Sequence, residues 1–234
     1  MEKVSVISGG SSGLGLELAE LMLKAGRNTI ILGRNNSRLE SAVNRLTPYA
    51  KNCFIEPYRC NIGNEEEVKA FGKYLTGQNY IVEYLFNNAG RGLFRKATES
   101  TAEMIDKVFE PNLKGLILLT SEILRITPSD DELSIINIMS TSALLGRAEE
   151  SIYCAAKWGA RGYTEALRTE LKGTKRNIIG VYPGGMRTNF WNVTEHNRHI
   201  SNYMNPADVA EKIVNAVLDP ARLVVTDITI TRKS

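Results

Sequence analysis

Tyr153 and Lys157 stand four positions apart in Tyr153-Cys154-Ala155-Ala156-Lys157, a spacing that makes them neighbours on one face of a helix. A free phenol titrates near ~10, too high for efficient proton exchange at neutral pH. An ammonium ~4–5 Å away, at an effective dielectric of ~20, favours the phenolate by ~3–4 kcal/mol, enough to lower the pKa by ~2–3 units. The pair is therefore a candidate proton donor and acceptor. Such pairs also occur by chance on helix surfaces, so the reading needs a third group. Ser140 closes the apolar run Ile135-Ile136-Asn137-Ile138-Met139-Ser140 and carries a hydroxyl able to polarise a substrate oxygen. Ser142 is a near alternative, and a serine at a strand end is ordinarily structural.

A second constellation lies in Ser8-Gly9-Gly10-Ser11-Ser12-Gly13-Leu14-Gly15. Gly9, Gly13 and Gly15 allow a tight turn and close backbone approach to a pyrophosphate, with Ser11, Ser12 and Leu14 opening a helix whose free N–H groups face the anion. A Gly-rich turn alone is equally a plain βα connection. Its place directly after a first buried strand favours a dinucleotide. The second strand ends at Leu32-Gly33-Arg34-Asn35, where an NAD-specific site usually carries an acidic side chain for the ribose 2′-hydroxyl. Arg34 instead offers a guanidinium fork matched to a phosphate and Asn35 adds a donor, so NADP(H) is expected over NAD(H).

These groups need a scaffold that brings strand ends together. Short β-branched runs at 4–8, 29–32, 53–58, 84–86, 135–140, 178–182 and 224–230 alternate with helical patterns at 14–25, 37–46, 65–75, 102–126, 152–171 and 206–218. That alternation predicts repeated βα units. The expected fold class is α/β: a Rossmann-type, doubly wound parallel sheet of about seven strands flanked by helices on both faces. Gly26 is placed as a C-cap and Pro206 at a helix start, where its missing N–H is harmless.

With 234 residues, 43% hydrophobic and 24% charged, the chain is expected to form a single dinucleotide-binding and catalytic domain over 1–234. The net charge of +3 comes from Lys and Arg scattered among acids, which argues against a nucleic-acid or membrane surface. Cys53, Cys60 and Cys154 form no CxxC pair, so neither a disulfide framework nor a zinc site is expected and a reducing, cytoplasmic setting fits. The N-terminus lacks the apolar core of a signal peptide, and the run 115–119 is too short to span a bilayer. His196 and His199 have no nearby carboxylate or thiol set to complete a metal site, so no metal is expected.

Together these motifs resemble the short-chain dehydrogenase/reductase family, in which a strand-end serine precedes the catalytic tyrosine by 13 positions, as Ser140 precedes Tyr153. The likeness covers essentially the whole chain, with Ser8 replacing a usual threonine but keeping its hydroxyl. Asn87-Asn88-Ala89-Gly90 resembles the motif that supports the sheet, placing Asn88, Ala89 and Gly90 along the cofactor cleft. The resemblance implies that Tyr153 donates or accepts the proton, that Lys157 partners it and binds ribose, and that Ser140 donates to the substrate oxygen. It further implies that Asn112 helps hold a water-mediated relay to the lysine. Pro183-Gly184-Gly185-Met186-Arg187-Thr188 resembles the segment that packs on nicotinamide, involving Pro183, Gly184, Met186 and Thr188. Two positions depart from the pattern. Asn61 replaces a usual aspartate that accepts from the adenine amino group, with the Ile62 backbone as a second contact. Pro111 precedes Asn112 inside a predicted helix and should kink it.

The resemblance implies an NADP(H)-dependent oxidoreductase moving a hydride between nicotinamide and a carbonyl or secondary alcohol, in a homodimer or homotetramer. Two alternatives are a non-catalytic NADP-binding sensor or scaffold, and a sugar-nucleotide epimerase or dehydratase. The intact Ser140, Tyr153 and Lys157 set opposes the first, and the glycine spacing opposes the second. Phe94, Leu144, Phe190 and Trp191, with Tyr203 and Met204, are candidates to line a substrate pocket beneath a short lid near 189–205. Packing of that loop against the body is an equal use for them. A small or medium apolar carbonyl compound is the expected substrate.

Overall fold

A computed structural model describes residues 1–193, 200–219, 223 and 225–233. Strand β1 (Glu2–Ser8) pairs in parallel with β2 (Asn28–Gly33) on one side and β4 (Tyr80–Asn87) on the other, so that Ile7 lies opposite both Ile31 and Phe86. Strand β3 (Ile55–Arg59) lies outside β2, while β5 (Leu133–Ile138), β6 (Arg176–Pro183) and β7 (Asp227–Ile230) extend beyond β4. The result is a seven-stranded parallel sheet in the order β3-β2-β1-β4-β5-β6-β7.

Because successive strand side chains alternate faces, each strand feeds two cores. Ile7, Ile31, Ile136 and Val181 pack beneath α1 (Gly13–Lys24), α2 (Asn36–Leu46) and α7 (Pro206–Val217). Val6, Ile30, Ile135 and Ile178 pack beneath α3 (Glu65–Gly77), α5 (Gly115–Ile126) and α6 (Ser151–Glu170). Local signals fix the helix ends. Asn64 accepts from the N–H groups of Glu66 and Glu67 at the start of α3, whose three leading glutamates suit the positive end of the dipole. Gly26, at φ 72°, follows α1 in the left-handed conformation of a helix stop.

The structure departs from the sequence-based expectation in a few places, each with a physical reason. Strand β4 begins at Tyr80, earlier than expected, because the polar break at Glu83 is paired by Lys3 and Arg27. Strand β5 stops at Ile138, and Ser140 caps the short 3-10 turn Thr141–Ala143, accepting from the Ser142 N–H at 3.1 Å. The helix expected over 102–126 is α4 (Ala102–Phe109), a π-helical turn Glu110–Lys114 and then α5. Pro111 lacks the N–H that a regular helix needs, and the wider turn absorbs it. Val224, His196 and His199 lie outside the described residues.

Sheet order reverses where the chain leaves the β3 edge and returns to place β4 beside β1. The carboxyl ends of β1 and β4 therefore border the crevice in which open α/β sheets bind ligands.

Candidate active site

That crevice is a cleft of about 1080 Å³. At its floor the Ser8 hydroxyl joins β1 to the segment after β4: it donates to the Phe86 carbonyl at 3.3 Å and accepts from the N–H groups of Asn88 and Ala89 at 3.0 and 3.1 Å. Asn88 in turn donates through Nδ2 to the carbonyls of Ser8 and Gly9 at 3.0 and 3.3 Å. Gly9 adopts φ 66°, and a Cβ there would come within 2.9 Å of Ala89 Cα, so the turn requires glycine. Gly13, Ser11, Ser12 and Leu14 line the cleft beside it. Gly15 does not line the cleft: a Cβ would overlap the Gly9 carbonyl and Asn88, so its place is the packing of α1 against this turn.

At one end of the cleft stand Arg34, Asn35, Asn61 and Ile62, joined by Arg38. Asn35 caps α2 by accepting from the Arg38 N–H at 2.9 Å, which leaves its amide N–H groups as donors. Asn61 donates to Glu110 Oε1 at 2.7 Å and accepts from the Gly63 N–H at 3.3 Å. Arg38 has a sequence signal that spacing exposes, since it lies four residues after Arg34 and in the first turns of α2.

Tyr153 and Lys157 project from the start of α6 into the middle of the cleft, both buried. Burial pushes the Tyr153 phenol upward; a hydrogen bond with Ser140 acts in the opposite direction, and the nearby Glu150 carboxylate adds to the rise. Burial also pushes the Lys157 ammonium down to about 8. Lys157 Nζ donates to the Ile138 carbonyl at 3.1 Å and lies 5.9 Å from the Tyr153 ring centre. The expected lowering of the phenol by its lysine neighbour is thus overturned in this state, because desolvation of the phenolate dominates and the Lys157 ammonium is engaged with a backbone carbonyl.

Asn112 is buried on the π turn, donating to the carbonyls of Arg91 and Val108 at 2.7 and 2.8 Å. Its Oδ1 has no partner among the described residues. A side chain on Gly90 would meet that oxygen at 2.7 Å and Lys157 Nζ at 3.6 Å, so both groups border the same small space. Ala89, Gly90, Pro183, Gly184, Met186 and Thr188 complete the nearby wall.

One wall of the cleft, beside Tyr153, is aromatic. Phe94 stacks on Trp191 with ring centres 5.1 Å apart, and Phe190 meets Tyr153 edge-on at 5.7 Å. Trp191 donates from its indole to the Met186 carbonyl at 2.8 Å, while Met204 pairs with Met186 in an isolated bridge. Tyr203 and Met204 also line the cleft, whereas residues 194–199 of the expected lid lie outside the described residues. Leu144 packs instead with Leu116, Met139, Ala143, Ala160 and Tyr182 after the 3-10 turn carries the chain away from the cleft. Ser142 donates to Glu150 Oε2 at 2.9 Å, and Glu150 is the one acid among the described residues that line the cleft.

The arrangement fits a nicotinamide dinucleotide: a glycine turn that admits no Cβ, two guanidinium groups at one end, and a buried acceptor oxygen beside a buried lysine in the middle. The sequence profile described as short chain dehydrogenase matches residues 3–199. An uncharacterized oxidoreductase of Staphylococcus saprophyticus is 26% identical over 229 residues, covering 98% of this chain and 97% of that protein. A sepiapterin reductase of Chlorobaculum tepidum is 27% identical over 235 residues, covering 97% and 95%. The solved structure of a short-chain dehydrogenase/reductase from Vibrio parahaemolyticus superposes with a TM-score of 0.87 at 35% identity, covering 99% of this chain and 100% of that one. With its seven-stranded parallel sheet and the site at the carboxyl ends of β1, β4 and β5, the chain belongs to the short-chain dehydrogenase/reductase family and is an oxidoreductase of carbonyl and alcohol groups that uses a nicotinamide cofactor.

Proposed function

We propose that the protein is a carbonyl-reductase-like enzyme that prefers NADP(H) and uses Tyr153 as its general acid and base. The observation that carries this reading is the meeting of Ser140, Tyr153 and Lys157 in the wall of a cleft that ends on Arg34 and Arg38. When bound, the dinucleotide supplies or accepts the hydride. Everything else falls to the chain's own groups.

The Gly9 to Leu14 turn holds the pyrophosphate, and Arg34, Arg38 and the Asn35 amide hold the 2′-phosphate. No acid lines this end directly among the described residues, and the two carboxylates behind it, Glu67 and Glu110, are engaged by Asn61. Lys157 holds the ribose, and Pro183, Gly184, Met186 and Thr188 hold the nicotinamide end. Ser140 donates to the substrate oxygen and orients it beside the Tyr153 hydroxyl. As negative charge grows on that oxygen, Tyr153 gives it the phenolic proton, which its burial has kept in place. Lys157, with the Asn112 oxygen close by, restores the phenolic proton through water. The aromatic wall of Phe94, Phe190 and Trp191 excludes bulk water and selects an apolar carbonyl substrate of small or medium size. Similarity to a sepiapterin reductase supports reduction as the working direction.

Binding titrations with NADPH and NADH test the cofactor preference. Loss of a charge-assisted phosphate contact costs ~1.5–3 kcal/mol, so Arg34→Ala should weaken NADPH binding roughly 10- to 150-fold and leave NADH nearly unchanged. Equal affinity of the unaltered protein for the two dinucleotides would refute the preference.

A further inference from the structure

The two departures from the family pattern noted in the sequence, Asn61 and Pro111, are linked through Glu110. Asn61 Nδ2 donates to Glu110 Oε1 at 2.7 Å, and Glu110 opens the π turn that contains Pro111 and Asn112. Asn61 N–H also donates to Glu67 Oε2 at 2.9 Å, so this residue lies between two carboxylates. An aspartate at position 61 would keep the backbone bond to Glu67 but bring a carboxylate against Glu110 without a donor, whereas the asparagine amide turns that repulsion into a charge-assisted bond. The surrounding backbone is equally close. A side chain on Gly63 would overlap Glu110, and one on Gly115 would overlap Ile62. The Asn61 side chain is fixed at both ends, since its oxygen accepts from the Gly63 N–H. Asn61, Ile62 and Asn112 all line the one cleft.

We propose that Glu110 is a positioning residue: by its bond to Asn61 it locks the adenosine end of the cleft to the π turn that aims Asn112 at the catalytic lysine. The proposal rests on the dinucleotide reading above. It explains why an asparagine serves where an aspartate is usual, and why the turn holding Asn112 keeps its place despite Pro111. Glu110 touches neither substrate nor cofactor in this scheme. Loosening it displaces the loop after β3 on one side and the relay asparagine on the other, so cofactor affinity and turnover move together.

A double-mutant cycle tests this with Asn61→Asp, Glu110→Gln and the pair. Each protein is measured for NADPH affinity by quenching of tryptophan fluorescence, for kcat on a carbonyl substrate, and for melting temperature without cofactor. Glu110→Gln keeps an acceptor for Asn61 and should stay within about twofold of wild type in affinity and kcat. Asn61→Asp should weaken NADPH binding and lower kcat by about tenfold each, and the double variant should recover most of both, because the new amide can donate to the new carboxylate. Wild-type affinity and kcat in Asn61→Asp, or losses that persist undiminished in the double variant, would overturn the proposal. Coupling seen in the melting temperature alone would also overturn it, since the bond would then be only structural. A wild-type protein that binds neither NADPH nor NADH would instead bring down the dinucleotide reading and this proposal with it.

Discussion

Burial drives the two titratable groups of the site toward their neutral forms, Tyr153 upward and Lys157 down to about 8. At neutral pH the phenol therefore keeps its proton, ready for carbonyl reduction, and Lys157 is still mostly charged. As pH rises through the lysine's value, alcohol oxidation should increase and carbonyl reduction should fall with an apparent pKa near 8, because neutral Lys157 can then accept the proton passed on by Tyr153. Rates flat from about pH 7 to 9 in both directions would contradict this. Stability carries the same signature. The native state binds fewer protons than the unfolded chain between about 8 and the ordinary lysine value of 10.5, so the penalty of burying Lys157 is full below about 8 and vanishes above 10.5. Urea unfolding of cofactor-free protein should show Lys157→Met gaining, relative to wild type, on the order of 3 kcal/mol more at pH 7 than near pH 10.5. A difference that does not vary with pH would show that the lysine is not held in this way. The four-residue spacing of Tyr153 and Lys157 was legible because a helix makes such residues neighbours. Their burial was not, because it depends on strands distant in sequence, and the carbonyl that accepts the hydrogen bond from Lys157 belongs to the end of β5.

Among the elements, the alternation of strands and helices was readable from period and caps, and all seven strands form the expected parallel sheet. What escaped was the behaviour of element ends, where single hydrogen bonds decide. Ser8 illustrates this, since its hydroxyl serves two backbone N–H groups and one carbonyl where β1 meets the segment after β4. Ser8→Ala leaves those N–H groups without that partner in a buried place and should lower stability by about 1–3 kcal/mol in urea unfolding, while Ser8→Thr keeps the hydroxyl and should lose much less. Equal stability of Ser8→Ala and wild type would remove Ser8 from this account. Pro111 was legible as a disturbance of the helix, but not the π turn that absorbs it, nor the bond from Asn61 in the loop after β3 to Glu110 at the start of that turn. Gly15 was expected at the cofactor as part of the glycine turn, and Leu144 as an apolar lining of the substrate pocket. The 3-10 turn carries Leu144 into an apolar cluster, and the close approach of Gly9 and Asn88 explains Gly15 by packing. Arg38 was missed although its spacing from Arg34 places it in the first turn of α2, next to the end of β2.

At the scale of the whole molecule, the sheet reversal between β1 and β4 creates a cleft with an aromatic wall next to Tyr153, which in the proposed function serves both the dinucleotide and the carbonyl. Substrate identity was not legible, because no motif governs which aromatic rings face each other across a cleft. No helix among the described residues is long and apolar enough to cross a membrane. Ile105 on α4 and Trp158 on α6 are 39% and 46% exposed, and we expect self-association to cover these apolar side chains. Light scattering at micromolar concentration should give a homodimer or homotetramer, and a particle of 26.0 kDa would contradict that expectation. The central claim is that a hydride passes between nicotinamide and a carbonyl carbon with Tyr153 managing the proton. Its most direct test is product analysis after incubation of a carbonyl panel with NADPH deuterated at C4. We predict alcohol products carrying deuterium at the former carbonyl carbon, formed about 10²- to 10⁴-fold more slowly by Tyr153→Phe although that variant binds NADPH normally. Alcohol with solvent hydrogen at that carbon, or undiminished turnover by Tyr153→Phe, would contradict the account.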